Sequence, residues 1–342
     1  MKKTAKSVDR SVITELVQKH YSIQPEQVEP IILDTAMTRL AGFKTLYRSP
    51  FGSNGDRFYF TADHPGFFTG YSAWTHMVLP ENYGLIKWKI DMGADRAELL
   101  STAAREYGSL LHLVVATHEN LNSDYRFRFN DEWWIEMAQE VAKANLLPGS
   151  VVEEWAYKLK NDMAAYFTWK REMKVRVLAV EVPLLDTDFM VATPGDLVVQ
   201  MTVMENEAKG KRKKPVEVIA GIDIKSGDKG VAFPEYRLQL AFMQHAWNKM
   251  GFKGTQYEMT RIYNWRPSPR ASRPGGYILT NQGGYFTKRQ LQALGRLNKV
   301  IGYNIPTGGV IEYYDGDDAE QYTAHSMSPS QWLQRWQNEN RK

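Results

Sequence analysis

Four ionisable residues stand where apolar strands would otherwise run unbroken. Glu181 closes the alternating stretch 174–182, and Asp196 follows Pro194-Gly195 and opens Leu197-Val-Val199. Asp223 lies between Ile222 and Ile224, with Lys225 two residues on. A strand has a side-chain period of two, so Asp223 and Lys225 point to one face. Carboxylates in such surroundings are costly to bury unless they are paired or bound to a cation. Two or three of them meeting one lysine form an oxygen-rich pocket suited to Mg²⁺ or Mn²⁺. That chemistry fits phosphodiester hydrolysis, in which a metal holds a non-bridging phosphate oxygen and acidifies water. A lysine kept cationic by its neighbours would orient the attacking hydroxide. Each acid alone also reads as structural, and Asp223-Ile-Lys225 alone as a solvated strand edge. The order of all four is the informative feature.

These residues need strands to carry them and helices to close over them. Residues 174–182, 189–193, 197–204 and 216–224 are rich in Val, Ile and Met and read as strands. A highly charged turn, 205–215, separates the last two. Upstream, a first helix is expected at about residues 8–19, strand-like pieces such as Arg57-Phe-Tyr-Phe60 follow, and Ser72 caps a short helix reaching Leu79. Asp95 opens a longer helix to about Asn120, with Leu99, Leu100, Ala103, Ala104, Tyr107, Leu111, Val114 and Val115 on a wide apolar stripe. Further helices are expected at 131–145 and 150–170, divided by Pro148-Gly149. Downstream come a helix at 235–250, a strand near 256–265, a helix at 287–302 and a final amphipathic helix entered through Ser328-Pro329. Helices followed by a β-meander crossed by one helix point to an α/β (mixed α+β) core flanked by helices. The division expected is 1–56 as a helical or irregular segment, 57–265 as the core with a helical insertion, and 266–342 as a C-terminal extension.

Pro194-Gly195-Asp196 followed by Ile222-Asp223-Ile224-Lys225-Ser226-Gly227 resembles the signature of PD-(D/E)XK nucleases, specifically the RecB-like exonuclease branch. Gln239 in Tyr236-Arg-Leu-Gln-Leu240 matches that branch's glutamine on the next helix, and Gly108-Ser109-Leu-Leu-His112 is similar to its Gly-[Ser/Thr]-x-x-His motif. Gly66-Phe-Phe-Thr-Gly-Tyr-Ser72 loosely resembles the segment that precedes it, so the likeness covers about residues 57–250. The resemblance implies a restriction-endonuclease-like core sheet and Mg²⁺- or Mn²⁺-dependent hydrolysis of DNA. His112, Asp196, Asp223 and the carbonyl of Ile224 would be metal ligands, Glu181 a metal- or water-positioning acid, and Lys225 the catalytic lysine. Gln239 would orient the site or touch the DNA backbone. Recombination or replication proteins, in a cellular or phage setting, are the further partners it implies. Two departures stand out: Met243 occupies the place where many relatives carry tyrosine, and the chain has no cysteine for the iron–sulfur cluster some relatives hold. Without the resemblance, His112 reads as a satisfied core histidine.

Two basic segments offer contacts for DNA. Lys209, Lys211, Arg212, Lys213 and Lys214 join two core strands and are expected to emerge near the carboxylates, as a phosphate clamp or as a solvated hairpin tip. Arg261, Arg266, Arg270 and Arg273, interleaved with Tyr263 and Trp265, offer phosphate contacts and stacking rings, or form a surface loop packed by its own aromatics. The net charge of +4 is a mild bias towards polyanions. Ten Trp and eighteen Tyr fit a large core or base-stacking surfaces equally well. No run approaches the roughly eighteen apolar residues of a membrane span, and no apolar stretch follows Lys2-Lys3. The expectation is a soluble, cytoplasmic protein (host cytoplasm in a phage setting) of 342 residues, with no membrane partner.

Overall fold

The β-branched runs assemble into one mixed sheet, seen in a computed structural model that describes residues 37–38, 46–49, 57–80, 83–120, 135–139, 142, 150–206, 213–227, 233–268, 275–301 and 328–339. Nine strands are found among the described residues. They are β1 (Met37–Thr38), β2 (Tyr47–Arg48), β3 (Phe58–Phe60), β4 (Phe68–Gly70), β5 (Arg176–Asp186), β6 (Val191–Asn206), β7 (Lys213–Ile224), β8 (Arg261–Pro267) and β9 (Tyr277–Asn281). Their order is β2-β3-β4-β6-β7-β8-β9, and β5 lies along β6 with β1 on its far side. The β4–β6 and β7–β8 pairs are parallel and the others antiparallel. The helices are α1 (Tyr71–Val78), α2 (Tyr83–Met92), α3 (Ala94–Asn120), α4 (Ser150–Glu172), α5 (Pro234–Trp247), α6 (Lys288–Ile301) and α7 (Pro329–Glu339), with residues 135–139 also helical. Among the described residues, no helix is long and apolar enough to cross a membrane.

The period of two decides which helices cover which face. Leu197, Val199, Ala220, Ile222, Ile224, Tyr263 and Trp265 pack against α3 and α4. Their neighbours Val198, Ile219 and Ile262 turn the other way and meet α1, α5 and α6. The sheet is therefore a central layer with helices on both sides, the mixed α/β arrangement expected. Trp74, Trp169, Trp247 and Trp265 are fully buried, which assigns much of the aromatic content to the core.

The differences from expectation have local causes. The stretches 189–193 and 197–204 form one strand, because Pro194 pairs with Pro183 and the ladder continues through Gly195. Gly195 suits that close approach: a Cβ there would lie 2.7 Å from Leu184 Cδ1. The C-terminal part of the helix expected at 235–250 is a π turn, Asn248–Phe252, in which Gly251 takes φ +110°. Helix α2 buries none of its residues, and β9 is a half-exposed edge strand, so neither carries a hydrophobic stripe to read. The expected helix at 8–19 lies outside the described residues, as does most of 131–145.

Candidate metal centre

Strand register brings the acids together. Val180 pairs with Leu197 and Val182 with Gly195, so Glu181 stands opposite Asp196. The β6–β7 ladder ends at Leu197 and Ile222, and beyond it the Asp196 carboxylate accepts the Ile224 N–H at 2.7 Å. One carboxylate thus replaces the next rung and tethers the end of β7. Glu181 has φ +45°, a left-handed conformation inside a strand that disfavours any residue with a Cβ. Backbone strain of this kind collects at functional sites.

Helix α3 supplies the imidazole. Leu111, Val114 and Val115 bury its apolar stripe on the sheet, and His112 reaches the last residue of β7. Its Nε2 lies 3.1 Å from the Ile224 carbonyl oxygen. A carbonyl can only accept, so Nε2 carries the hydrogen and Nδ1 faces the acids. Nδ1 is 3.6 Å from both Glu181 Oε1 and Asp196 Oδ1. A bare nitrogen lone pair facing two carboxylates is repulsive, so this arrangement requires a proton or a cation between them. Burial opposes the charge on His112, but Asp196 and Glu181 outweigh it and raise the imidazole to about 9. One donor atom from each of the three residues lies within 4.8 Å of the others. Donors across an octahedral Mg²⁺ site are about 4.2 Å apart, so a modest closure would seat an ion. The residues therefore fit a divalent metal.

Beside this trio stands a lysine. Lys225 Nζ donates to Asp223 Oδ1 at 2.8 Å, lies 3.5 Å from Gln239 Oε1, and sits 4.2 Å from the centre of the Tyr236 ring. Burial opposes its charge, but Asp223 and Asp196 win and hold it above the usual lysine range. Burial also raises both aspartates. Lys225 only partly offsets this at Asp223, which comes to about 6, and His112 only partly offsets it at Asp196. A dication would oppose those upward shifts.

All six residues expected inside the site, His112, Glu181, Asp196, Asp223, Lys225 and Gln239, meet where the end of β7 lies beside inner positions of β5 and β6. The Ile224 carbonyl, implied as a ligand, is here engaged by the imidazole. Met243 is buried beneath Gly195 and Gly221 and packs the core. The basic segments divide. Lys213 and Lys214 begin β7, ten and nine residues from Asp223, and at about 3.3 Å per residue lie roughly 33 and 30 Å from it. The expectation that this segment emerges beside the carboxylates therefore fails for its described part. The hairpin closes at the opposite end of the two strands. Lys209, Lys211, Arg212, Arg270 and Arg273 lie outside the described residues. Arg261 is engaged by Glu205 along the sheet. Arg266 follows Trp265, whose carbonyl accepts the Lys225 N–H at 2.9 Å, and so emerges at the site end. His118 pairs with Glu119 and packs on Phe167, and His245 bonds Asp186, so neither joins His112.

Sequence reasoning missed three supports. Lys158 donates to the Ser226 carbonyl at 2.7 Å and to Asp162 at 3.3 Å, and Asp162 also accepts the Tyr107 hydroxyl at 2.6 Å. Asn264 donates to Asp223 Oδ2. At Gly108 a Cβ would meet Ser226 Oγ at 3.4 Å, an ordinary contact, so α3 passes the segment after β7 there without requiring a glycine. The available signal for Asn264 was a lone amide inside the strand Arg261-Ile-Tyr-Asn-Trp.

In comparisons with known proteins, no family model and no curated protein matches the chain. The likeness to PD-(D/E)XK nucleases rests on the quoted motifs alone.

Proposed function

We propose that this protein is a metal-dependent DNA nuclease of the PD-(D/E)XK kind, acting first as an exonuclease that processes DNA ends. The observation that carries the reading is the meeting of the His112–Glu181–Asp196 trio with the Asp223–Lys225 pair, linked through the Asp196 bond to Ile224 N–H. A divalent cation held by the trio, with Asp223 beside it, would supply Lewis acidity towards a phosphate oxygen and a more acidic water.

The chain's own groups do the rest. Lys225 is cationic and partly open to solvent, so its ammonium donates to the attacking water and to the charge that grows on the phosphate oxygens. Asp223 holds that ammonium in place, and Gln239 limits its other rotations. Glu181 faces the same space and orients the water whose oxygen bonds to phosphorus as the bond to the leaving oxygen breaks, the water's proton passing to solvent and the leaving oxygen taking one from it. His112, through its bond to Ile224, ties α3 to the strand end that carries Lys225.

The test is incubation with Mg²⁺ or Mn²⁺ on linear and covalently closed circular DNA, with Lys225→Ala alongside. Loss of linear DNA alone, abolished in the variant, is expected. Cutting of the circle would make the protein a nicking or structure-specific endonuclease with the same site. Tight binding with no metal-dependent cleavage of either would overturn the nuclease reading in favour of a non-cleaving DNA-binding or assembly protein.

A further inference from the structure

The parallel pairing of β7 with β8 sets Asp223 opposite Asn264. Ile222, Ile224, Tyr263 and Trp265 all turn towards α3 and α4, so both polar residues share the opposite face, under α5. There Asn264 Nδ2 donates to Asp223 Oδ2 while Lys225 holds Oδ1 at 2.8 Å. Both oxygens of one carboxylate are thus fixed, by donors from β8 and from the residue that follows β7, and the group cannot turn about Cβ–Cγ without losing one. Asn264 is 6% exposed, and no described residue gives its own Oδ1 a partner. A buried amide left half-satisfied costs stability, which an apolar residue in this Ile-, Tyr- and Trp-rich strand would avoid.

We propose that Asn264 is a positioning residue, which sets the plane of the Asp223 carboxylate so that one oxygen steers Lys225 and the remaining lone pairs serve the cation site. This role rests on the metal-dependent reading above. An ionised carboxylate has about four acceptor positions, so the two donors leave room for a cation. Outer partners of this kind are worth about ten- to a hundredfold in metal affinity or activity.

The experiment compares wild type, Asn264→Leu, which keeps the volume without a donor, and Asn264→Ser, which keeps a shorter donor. Mn²⁺ affinity is read by calorimetry, kcat and KM on linear DNA by initial rates, and folding by circular dichroism. The expected result for the leucine variant is Mn²⁺ affinity weakened by about tenfold or more, with kcat reduced and KM for DNA unchanged. The serine variant should fall between. A leucine variant that melts at lower temperature but binds Mn²⁺ and turns over like wild type overturns the proposal, since Asn264 would then be structural only. If the leucine variant does not fold, a serine variant indistinguishable from wild type overturns it instead. A wild-type protein that binds no Mn²⁺ overturns the metal reading and this role together. Normal wild-type binding with an unaffected variant overturns this role alone.

Discussion

Glu181 is where stability and chemistry oppose each other most directly. A left-handed φ of +45° at a residue with a Cβ costs about 1–2 kcal/mol, and its carboxylate also faces that of Asp196. Glycine adopts that conformation freely, although its looser unfolded chain returns part of the gain. Glu181→Gly and Glu181→Ala both lose the carboxylate that faces His112 and with it tight Mn²⁺ binding, but the glycine variant should be about 1 kcal/mol more stable than the alanine variant in metal-free urea unfolding. An alanine variant as stable as the glycine one would show that the strain argument is wrong. His112 sets the pH dependence of the same site. Its pKa is raised to about 9, so the imidazolium's contribution to metal-free stability is full below the ordinary histidine range and is lost as pH rises through about 9. A metal needs the neutral ring, so ion and proton compete. Apparent Mn²⁺ affinity should rise about tenfold per pH unit from neutrality up to that value, with release of one proton from His112. Calorimetry in two buffers of different ionisation heat reads that proton directly. Uptake independent of pH would remove His112 from the ligand set.

At the scale of elements, the turn between β5 and β6 is held by a buried acid that the chemistry does not use. Asp186 ends β5, and its Oδ1 accepts the N–H groups of Asp188 at 2.7 Å and Phe189 at 2.8 Å. Its Oδ2 meets His245 Nε2 of α5 at 2.9 Å and Lys249 of the π turn at 3.0 Å. The Phe189 ring stacks on His245, and Asn298 of α6 donates to the carbonyls of Phe189 and Met190. One turn is thereby tied to three elements on a single face of the sheet. Burial works against the Asp186 charge, but His245, the Phe189 N–H and Lys249 outweigh it and pull the carboxyl down to about 2. For a depressed acid, the stabilising contribution is present above the ordinary aspartate range and disappears as pH falls through about 2. Asp186→Asn should thus lose on the order of 2 kcal/mol at neutral pH, with the gap to wild type closing between about pH 4 and pH 2. Urea unfolding across that range measures the gap. A constant difference down to pH 2 would place the effect in packing rather than in charge. Mn²⁺ affinity should not move, because Asp186 lies five residues along β5 from Glu181.

What was legible at the scale of the whole molecule is what local sequence encodes. The change of period near residue 174 marked the passage from helices to a buried sheet. Asp223 and Lys225, two residues apart, declared a shared face. Register was not legible, because it depends on pairings between distant segments. Asn264 meets Asp223 only because β7 and β8 run parallel, and no spacing within Arg261–Pro267 announces it. The same gap concealed the direction of the β6–β7 hairpin, which carries Lys213 and Lys214 away from the carboxylates. That geometry makes a prediction about the path of DNA. A separation of roughly 30–33 Å is several times the Debye length of about 8 Å at physiological salt, so these exposed lysines add little to phosphate binding at the site. Arg266, one residue past the Trp265 carbonyl that holds Lys225, stands at the site end instead. On a short oligonucleotide, Lys213→Ala combined with Lys214→Ala should leave binding and its salt dependence unchanged. Arg266→Ala should weaken binding and lower the slope of log affinity against log salt by about 0.9 if one duplex phosphate contact is lost. If the lysine pair carries the slope, the DNA lies along the whole β6–β7 hairpin rather than across the strand ends, and the site is approached from the other side of the sheet.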